Sequence, residues 1–312
     1  MLWNDIYLLS CAGWLPPRLN GYPGGEFTTY TQAADSDTSV ILATRSAQTA
    51  ISLCADPTPL EWILYASTLA ETHLTPAAYL QRAIGAEQAT AFKLDCASNG
   101  GVLSLAVAAS LLSSLPAPSS PTALVSTGFA FDKNLDRFET MPGTIFSDGS
   151  ASAVLGRRNG IARLVATTYS AAPQLESYTS SYAIVSNRPN DTDIIEGQQY
   201  PAGYYQLQRH KSAQAATQIL QETDLTIDDI AMTAVPGFPY NYIEYTITDT
   251  LGIPPERTTI EFMRTVGHAG PCDQLLGLDY ALKSRRVGPG DHILLAGVGS
   301  GFTWTYALIQ VL

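Results

Sequence analysis

Apolar residues along the chain fall into short runs separated by polar or turn-rich breaks. Runs of this kind, bounded by turn signals, read as buried strands. They lie at Ile6–Ser10, Trp62–Ala66, Ala91–Leu94, Ala123–Thr127, Ala151–Leu155, Ile161–Thr167, Ala231–Val235, His292–Ala296 and Thr303–Val311. Helical patterning separates several of them. Ser39–Leu53 carries apolar residues near the helical period, and Tyr204–Thr223, Tyr240–Leu251 and Cys272–Arg286 read as further helices. Gly100–Leu115 is apolar nearly all round, which predicts a helix buried on every side. Strands alternating with helices predict an α/β fold with mainly buried sheets. Each half runs strand, helix, strand, helix, strand, so a structural duplication is expected, with halves at 1–160 and 161–312. Loops are marked at Gly21–Glu26, Pro116–Pro121 and the long polar stretch Ala172–Pro201, a linker or a cap over a site.

Composition narrows the function classes. Of 312 residues, 46% are hydrophobic and only 14% charged, so a large core or a broad interface must be buried. Lys plus Arg number 17 against 28 Asp plus Glu, a formal net charge of −11. That balance argues against a nucleic-acid partner, whose affinity rests on Lys and Arg, and against an anionic membrane surface. No apolar stretch is long enough to span a bilayer. The start, Met1 to Leu15, has no basic n-region and carries Asp5, unlike a secretory signal. The four cysteines, Cys11, Cys54, Cys96 and Cys272, are far apart with no CxxC spacing. They read as reduced thiols of a cytoplasmic protein, with neither a disulfide framework nor a metal site.

Four segments carry candidate chemistry. In the first, Phe92–Gly101, a strand runs through Asp95-Cys96-Ala97-Ser98-Asn99 into the apolar helix. A Ser or Cys at such a turn is exposed on a rigid element, where the helix N-terminus favours developing negative charge. Ser98 or Asn99 acting only as a helix N-cap would account for the same pattern. In the second, Val266–Asp273, His268 sits in a Gly-rich loop and Asp273 in the first turn of the next helix. A histidine with a nearby carboxylate is the pair needed to deprotonate a serine, although a capping acid and a surface histidine fit as well. The third is Gly297–Trp304. Its glycines let backbone N–H groups approach a ligand as an oxyanion hole would require, or simply make a tight hairpin. No helix follows it, which argues against a dinucleotide site. The fourth, Phe146–Leu155, is a polar turn feeding a small-residue strand.

In this order the four segments resemble the ketoacyl synthase III branch of the thiolase superfamily. The likeness is closest over Arg257–Leu312 and weak over 15–60 and 170–205. It implies a thiolase-like fold, two similar βαβαβ halves in a five-layered α-β-α-β-α arrangement. The first half would carry the nucleophile turn, and the second His268, Asp273 and the Gly-rich turn.

The departures from the family pattern are as informative. The family's nucleophilic cysteine aligns with Ser98, so Ser98 is favoured as nucleophile over Cys96, the alternative two residues earlier. The family's valine–proline–histidine motif reads Val235-Pro236-Gly237, and its catalytic asparagine is replaced by His268. Those two family residues stabilise the oxygen that becomes negative during decarboxylation. Losing one such donor typically costs ~10²–10³ in rate. What remains, Ser98, His268 and Asp273, resembles a side branch of ketosynthase-III-like acyltransferases of polyketide and other natural-product pathways. The resemblance implies acyl transfer from a phosphopantetheine thioester, of coenzyme A or an acyl carrier protein, through an acyl-Ser98 ester. Backbone N–H groups of Ser98 and Ser300 would hold the oxyanion. No permanently bound cofactor is expected. A homodimer, or a heterodimer with another ketosynthase-like chain, is expected; in the second case this chain could be a catalytically degenerate partner. No Arg or Lys lies between Gly21 and Thr38, nor in Tyr240–Leu251, where the family often docks its carrier. Basic residues cluster instead at Arg157–Arg158, Arg209–Lys211 and Lys283–Arg286. His73, His210 and His292 read as an interface or solvated residue, a solvated helix residue and a structural turn residue.

Overall fold

A computed structural model describes residues 1–21, 25–55, 59–68, 73–115, 121–141, 143–178 and 203–312. The polar stretch read as a linker or cap falls largely outside these residues. The strands are β1 (Tyr7–Trp14), β2 (Arg18–Asn20), β3 (Thr29–Thr31), β4 (Leu60–Ala66), β5 (Thr90–Leu94), β6 (Thr122–Phe129), β7 (Gly149–Gly156), β8 (Ala162–Ala171), β9 (Ile230–Ala234), β10 (His292–Gly299) and β11 (Thr303–Val311). The longer helices are α1 (Ser39–Leu53), α2 (Pro76–Ala83), α3 (Gly100–Ser113) and α4 (Tyr204–Thr223). Three short helices follow, α5 (Tyr240–Ile243), α6 (Asp249–Leu251) and α7 (Ile260–Met263), before α8 (Asp273–Lys283).

Nine strands join in the order β5-β4-β6-β7-β1-β8-β11-β10-β9, while β2 and β3 form a separate hairpin. Pairing between the two halves of this sheet is slight: Tyr7 opposite Arg163 and Leu8 opposite Ala162. On either side of that seam the pairing is extensive, β1 with β7 and β8 with β11. The sheet therefore folds over at the seam, and the helices show how. α3 and α8 pack on each other and touch strands of both halves; α1 covers the outer face of β1, β6 and β7, and α4 that of β8 and β11. The layers run helix, half-sheet, helix, half-sheet, helix, the α/β arrangement of the thiolase-like fold.

Three apolar clusters fill the spaces between layers. The central one joins Val102 and Leu105 of α3 to Leu275 and Leu276 of α8, with Leu64 and Ile293 from the two half-sheets. The outer clusters sit under α1 (Val40, Ala43, Ile63, Tyr65) and under α4 (Ala215, Ile219, Leu294, Tyr306). The uniform hydrophobicity of α3 has this cause: it has a sheet on two sides and a helix on a third, leaving no face that must be polar.

All nine expected strands are present, most of them longer than the apolar run alone. The helix read as Tyr240–Leu251 differs, because a π-helical turn, Glu244–Thr248, separates α5 from α6. Thr246 and Thr250 donate their hydroxyls to Tyr242 O and Tyr245 O, and such back-bonding competes with the regular ladder and bends helices. Among the described residues no helix is long and apolar enough to cross a membrane. All four cysteines are free thiols.

Candidate active site

β5 ends at Leu94 and α3 begins at Gly100, and a single 3₁₀ turn, Ala97–Asn99, joins them. Ala97 adopts the left-handed conformation at φ 48°, a geometry that costs a residue with a Cβ roughly 1–2 kcal/mol. The turn presents Ser98 at the head of the central helix. Asn99 beneath it is fully buried and ties it to β11, donating Nδ2–H to the hydroxyls of Thr303 and Thr305 at 3.1 and 2.9 Å. The Gly-rich turn after β10 is equally close: a Cβ at Gly299 would lie 2.4 Å from Cys96 O. Ser300, the first residue of that turn, is exposed.

His268 comes from the other half of the chain. Its backbone is clamped to the segment before β7, with His268 N–H donating to Ile145 O and Ser147 N–H to His268 O, both at 2.8 Å. The fourth sequence segment thus holds the histidine loop in place. Its Asp148 is buried as well. Arg137 donates to both its oxygens at 2.9 Å, and the amides of Ala33 and Phe131 donate at 2.8 Å each. Breaking a buried pair of this kind costs about 3–5 kcal/mol.

The side chains of Ser98, His268 and Asp273 meet in a line. Ser98 Oγ lies 2.9 Å from His268 Nε2, and His268 Nδ1 lies 2.6 Å from Asp273 Oδ2. His268 is 3% exposed and Asp273 fully buried. The carboxylate also accepts Ala269 N–H on Oδ1 at 2.8 Å and Gly237 N–H on Oδ2 at 2.7 Å. An acid surrounded by donors acts as an acceptor, so the proton of the short bond sits on His268 Nδ1. Nε2 is then free to take the Ser98 proton, the proton path of a nucleophilic triad. The rings of Phe238, Phe146 and Phe129 stand 4.6, 5.4 and 6.3 Å from the imidazole and dry its surroundings.

Cys96 sits on the same turn, half-buried. Burial first, and then the Asp95 charge, push its thiol above the ordinary range, the reverse of what a nucleophilic thiolate needs. His210 is exposed, His73 lies tilted against Tyr79 with ring centres 4.3 Å apart, and His292 starts β10; none of them reaches the line. The amides of Gly237 and Ala269 on Asp273, and the three phenylalanines, carried no signal in the sequence beyond their proximity to named motifs.

Comparisons with known proteins bear on the fold and on the sequence likeness of the chain. A family model described as 3-oxoacyl-[acyl-carrier-protein] synthase III C terminal matches residues 220–311. The beta-ketoacyl-[acyl-carrier-protein] synthase III of Rhizorhabdus wittichii is 28% identical over 283 residues, covering 89% of this chain and 86% of its own. Its counterpart from Bradyrhizobium sp. is 27% identical over 293 residues, with the same coverage of 89% and 86%. Among solved structures, the acyltransferase ChlB3 superposes with a TM-score of 0.88 at 27% identity, covering 99% of this chain and 98% of that one. Xanthomonas campestris OleA shares the fold at a TM-score of 0.80 and 14% identity, covering 99% and 98%. The fold is the thiolase-like one, shared with ChlB3 and OleA. In sequence the chain is similar to the ketoacyl synthase III proteins, and in structure to the acyltransferase ChlB3.

Proposed function

We propose that the protein is an acyltransferase. It takes an acyl group from a coenzyme A or carrier-protein thioester onto Ser98 and passes it to an acceptor nucleophile in natural-product, polyketide-type biosynthesis, without decarboxylative carbon–carbon bond formation. One observation carries this reading: the unbroken line from Ser98 Oγ through His268 to Asp273. In the first step Oγ attacks the thioester carbonyl as its proton passes to His268 Nε2. The C–S bond then breaks, and the departing thiolate takes that proton and leaves as a free thiol. In the second step the acceptor nucleophile gives its proton to Nε2 and attacks the acyl ester. Ser98 Oγ leaves and recovers the proton. Backbone N–H groups of Ser98 and Ser300 are assigned to both oxyanions.

The donor class is supported by the relatives named for acyl-carrier-protein substrates, by ChlB3, described as an acyltransferase, and by a cysteine-to-serine variant of OleA holding lauroyl-CoA. The absence of condensation is supported by Gly237 standing where the family motif has its histidine. The alternative, a non-catalytic partner subunit, gives no reason to retain a buried carboxylate aimed at an imidazole that reaches a half-exposed serine.

The test is intact-protein mass after incubation with a panel of acyl-CoA and acyl-carrier thioesters. One acyl mass is expected on the native chain and none on Ser98→Ala. Label persisting on Ser98→Ala would exclude Ser98 as the nucleophile.

A further inference from the structure

We propose that Gly237 is a positioning residue. Its missing side chain allows the segment after β9 to dock on the histidine loop and hold Asp273 through its amide, and this commits the site to acyl transfer. The consequences for rate rest on the acyltransferase reading; the geometric claim does not.

Gly237 is buried, and a Cβ there would lie 2.5 Å from Gly267 O, 2.8 Å from Gly267 C and 2.9 Å from His268 Cα. All three are backbone atoms, so no flexible side chain can yield. Gly237 is not among the residues at positive φ, so the restriction is one of space, not of dihedral angle. From the other side the segment is pinned: Val235 N–H donates to Thr259 Oγ1 at 3.0 Å. Non-bonded heavy atoms rest at about 3.5 Å or more, so a side chain at 237 must separate the two segments by about 1 Å. That movement carries the Gly237 amide away from Asp273 Oδ2, which it now meets at 2.7 Å, and lifts the Phe238 ring from the imidazole. Asp273 then loses one of the donors that fix its rotamer, and with it the orientation of His268. The position that the family motif gives to histidine has thus become part of the triad's support. Restoring histidine there would damage the relay without rebuilding a condensing site.

The test compares the native chain with Gly237→Ala and Gly237→His. Acylation at saturating thioester is expected to fall about 10²-fold, the penalty typical of a 1 Å misplacement. The KM for the donor is expected to stay unchanged, because the donor's binding contacts are not touched. A low-field proton resonance from His268 Nδ1–H is expected in the native chain and lost in both variants. Gly237→His is expected to release no carbon dioxide from a malonyl thioester. An unchanged rate with the low-field resonance retained in Gly237→Ala, or carbon dioxide release by Gly237→His, would overturn the proposal. Should neither variant fold, amide hydrogen exchange decides: Gly237 N–H is protected in the native chain and loses protection selectively in Asp273→Ala. Protection that survives in Asp273→Ala would also overturn it. If the native chain takes up no acyl group, the acyltransferase reading fails, while the resonance and exchange measurements still decide the role of Gly237.

Discussion

Ser98 has an unremarkable hydroxyl, and what makes it a candidate nucleophile lies outside it. His268 Nε2 supplies the acceptor, and Asp273 fixes which ring nitrogen bears the proton. Replacing Asp273 by Asn keeps the volume but lets an amide N–H face Nδ1, which favours the tautomer with its proton on Nε2. Acylation of Asp273→Asn is then expected to fall by up to about 10⁴, the loss such a tautomer switch produces in a triad. Rapid-quench measurement of the acyl mass checks it, and a fall smaller than about tenfold would place the general base elsewhere. His268 and Asp273 are legible in the sequence because five residues of loop and first helical turn must bring them together. The pairing of Ser98 with His268 is visible there only through family resemblance, since 170 residues separate them. The amides of Gly237 and Ala269 on the carboxylate are invisible, because backbone donors leave no mark in residue identity.

At the scale of elements, α3 bears the load. Leu105 is fully buried in the cluster between the half-sheets, where a deletion has little room to collapse. Leu105→Ala is expected to destabilise the fold by about 2–5 kcal/mol, read as a drop in the urea midpoint at constant slope. A loss well under that range would mean that the interior of α3 is loosely packed. The apolar character of such buried elements makes them readable, and the nine main strands and four of the five expected helices follow from it. The elements that escaped notice bury little. Helix α2 buries only Pro76, Ala77 and Leu80. The β2–β3 hairpin comprises two strands of three residues each beside a Gly- and Pro-rich break. The π turn escaped because threonine back-bonding depends on local geometry that periodicity does not encode.

For the whole molecule, pH acts through groups whose titration folding has changed. His292 at the start of β10 is lowered from its ordinary value, by burial first, although Asp229 opposes the shift. Between the folded and unfolded values the unfolded chain binds more protons, so stability rises with pH there. The contribution of His292 is complete above about pH 6.5 and is lost as the pH falls through the lower folded value. Urea midpoints across a pH series are expected to decline on the acid side of 6.5, and to decline less in His292→Asn. Equal slopes for the two chains would refute this. Ser98 belongs to one half of the chain, and His268 and Asp273 to the other. At ~5–20 residues per second of synthesis, His268 emerges roughly ten to thirty seconds after Ser98. During that interval Ser98 lacks both partners of the proposed relay, which it meets only once the loop of His268 and the start of α8 pack against α3. On the proposed reading the protein is therefore timed as well as shaped: a reactive Ser98 cannot precede the finished fold.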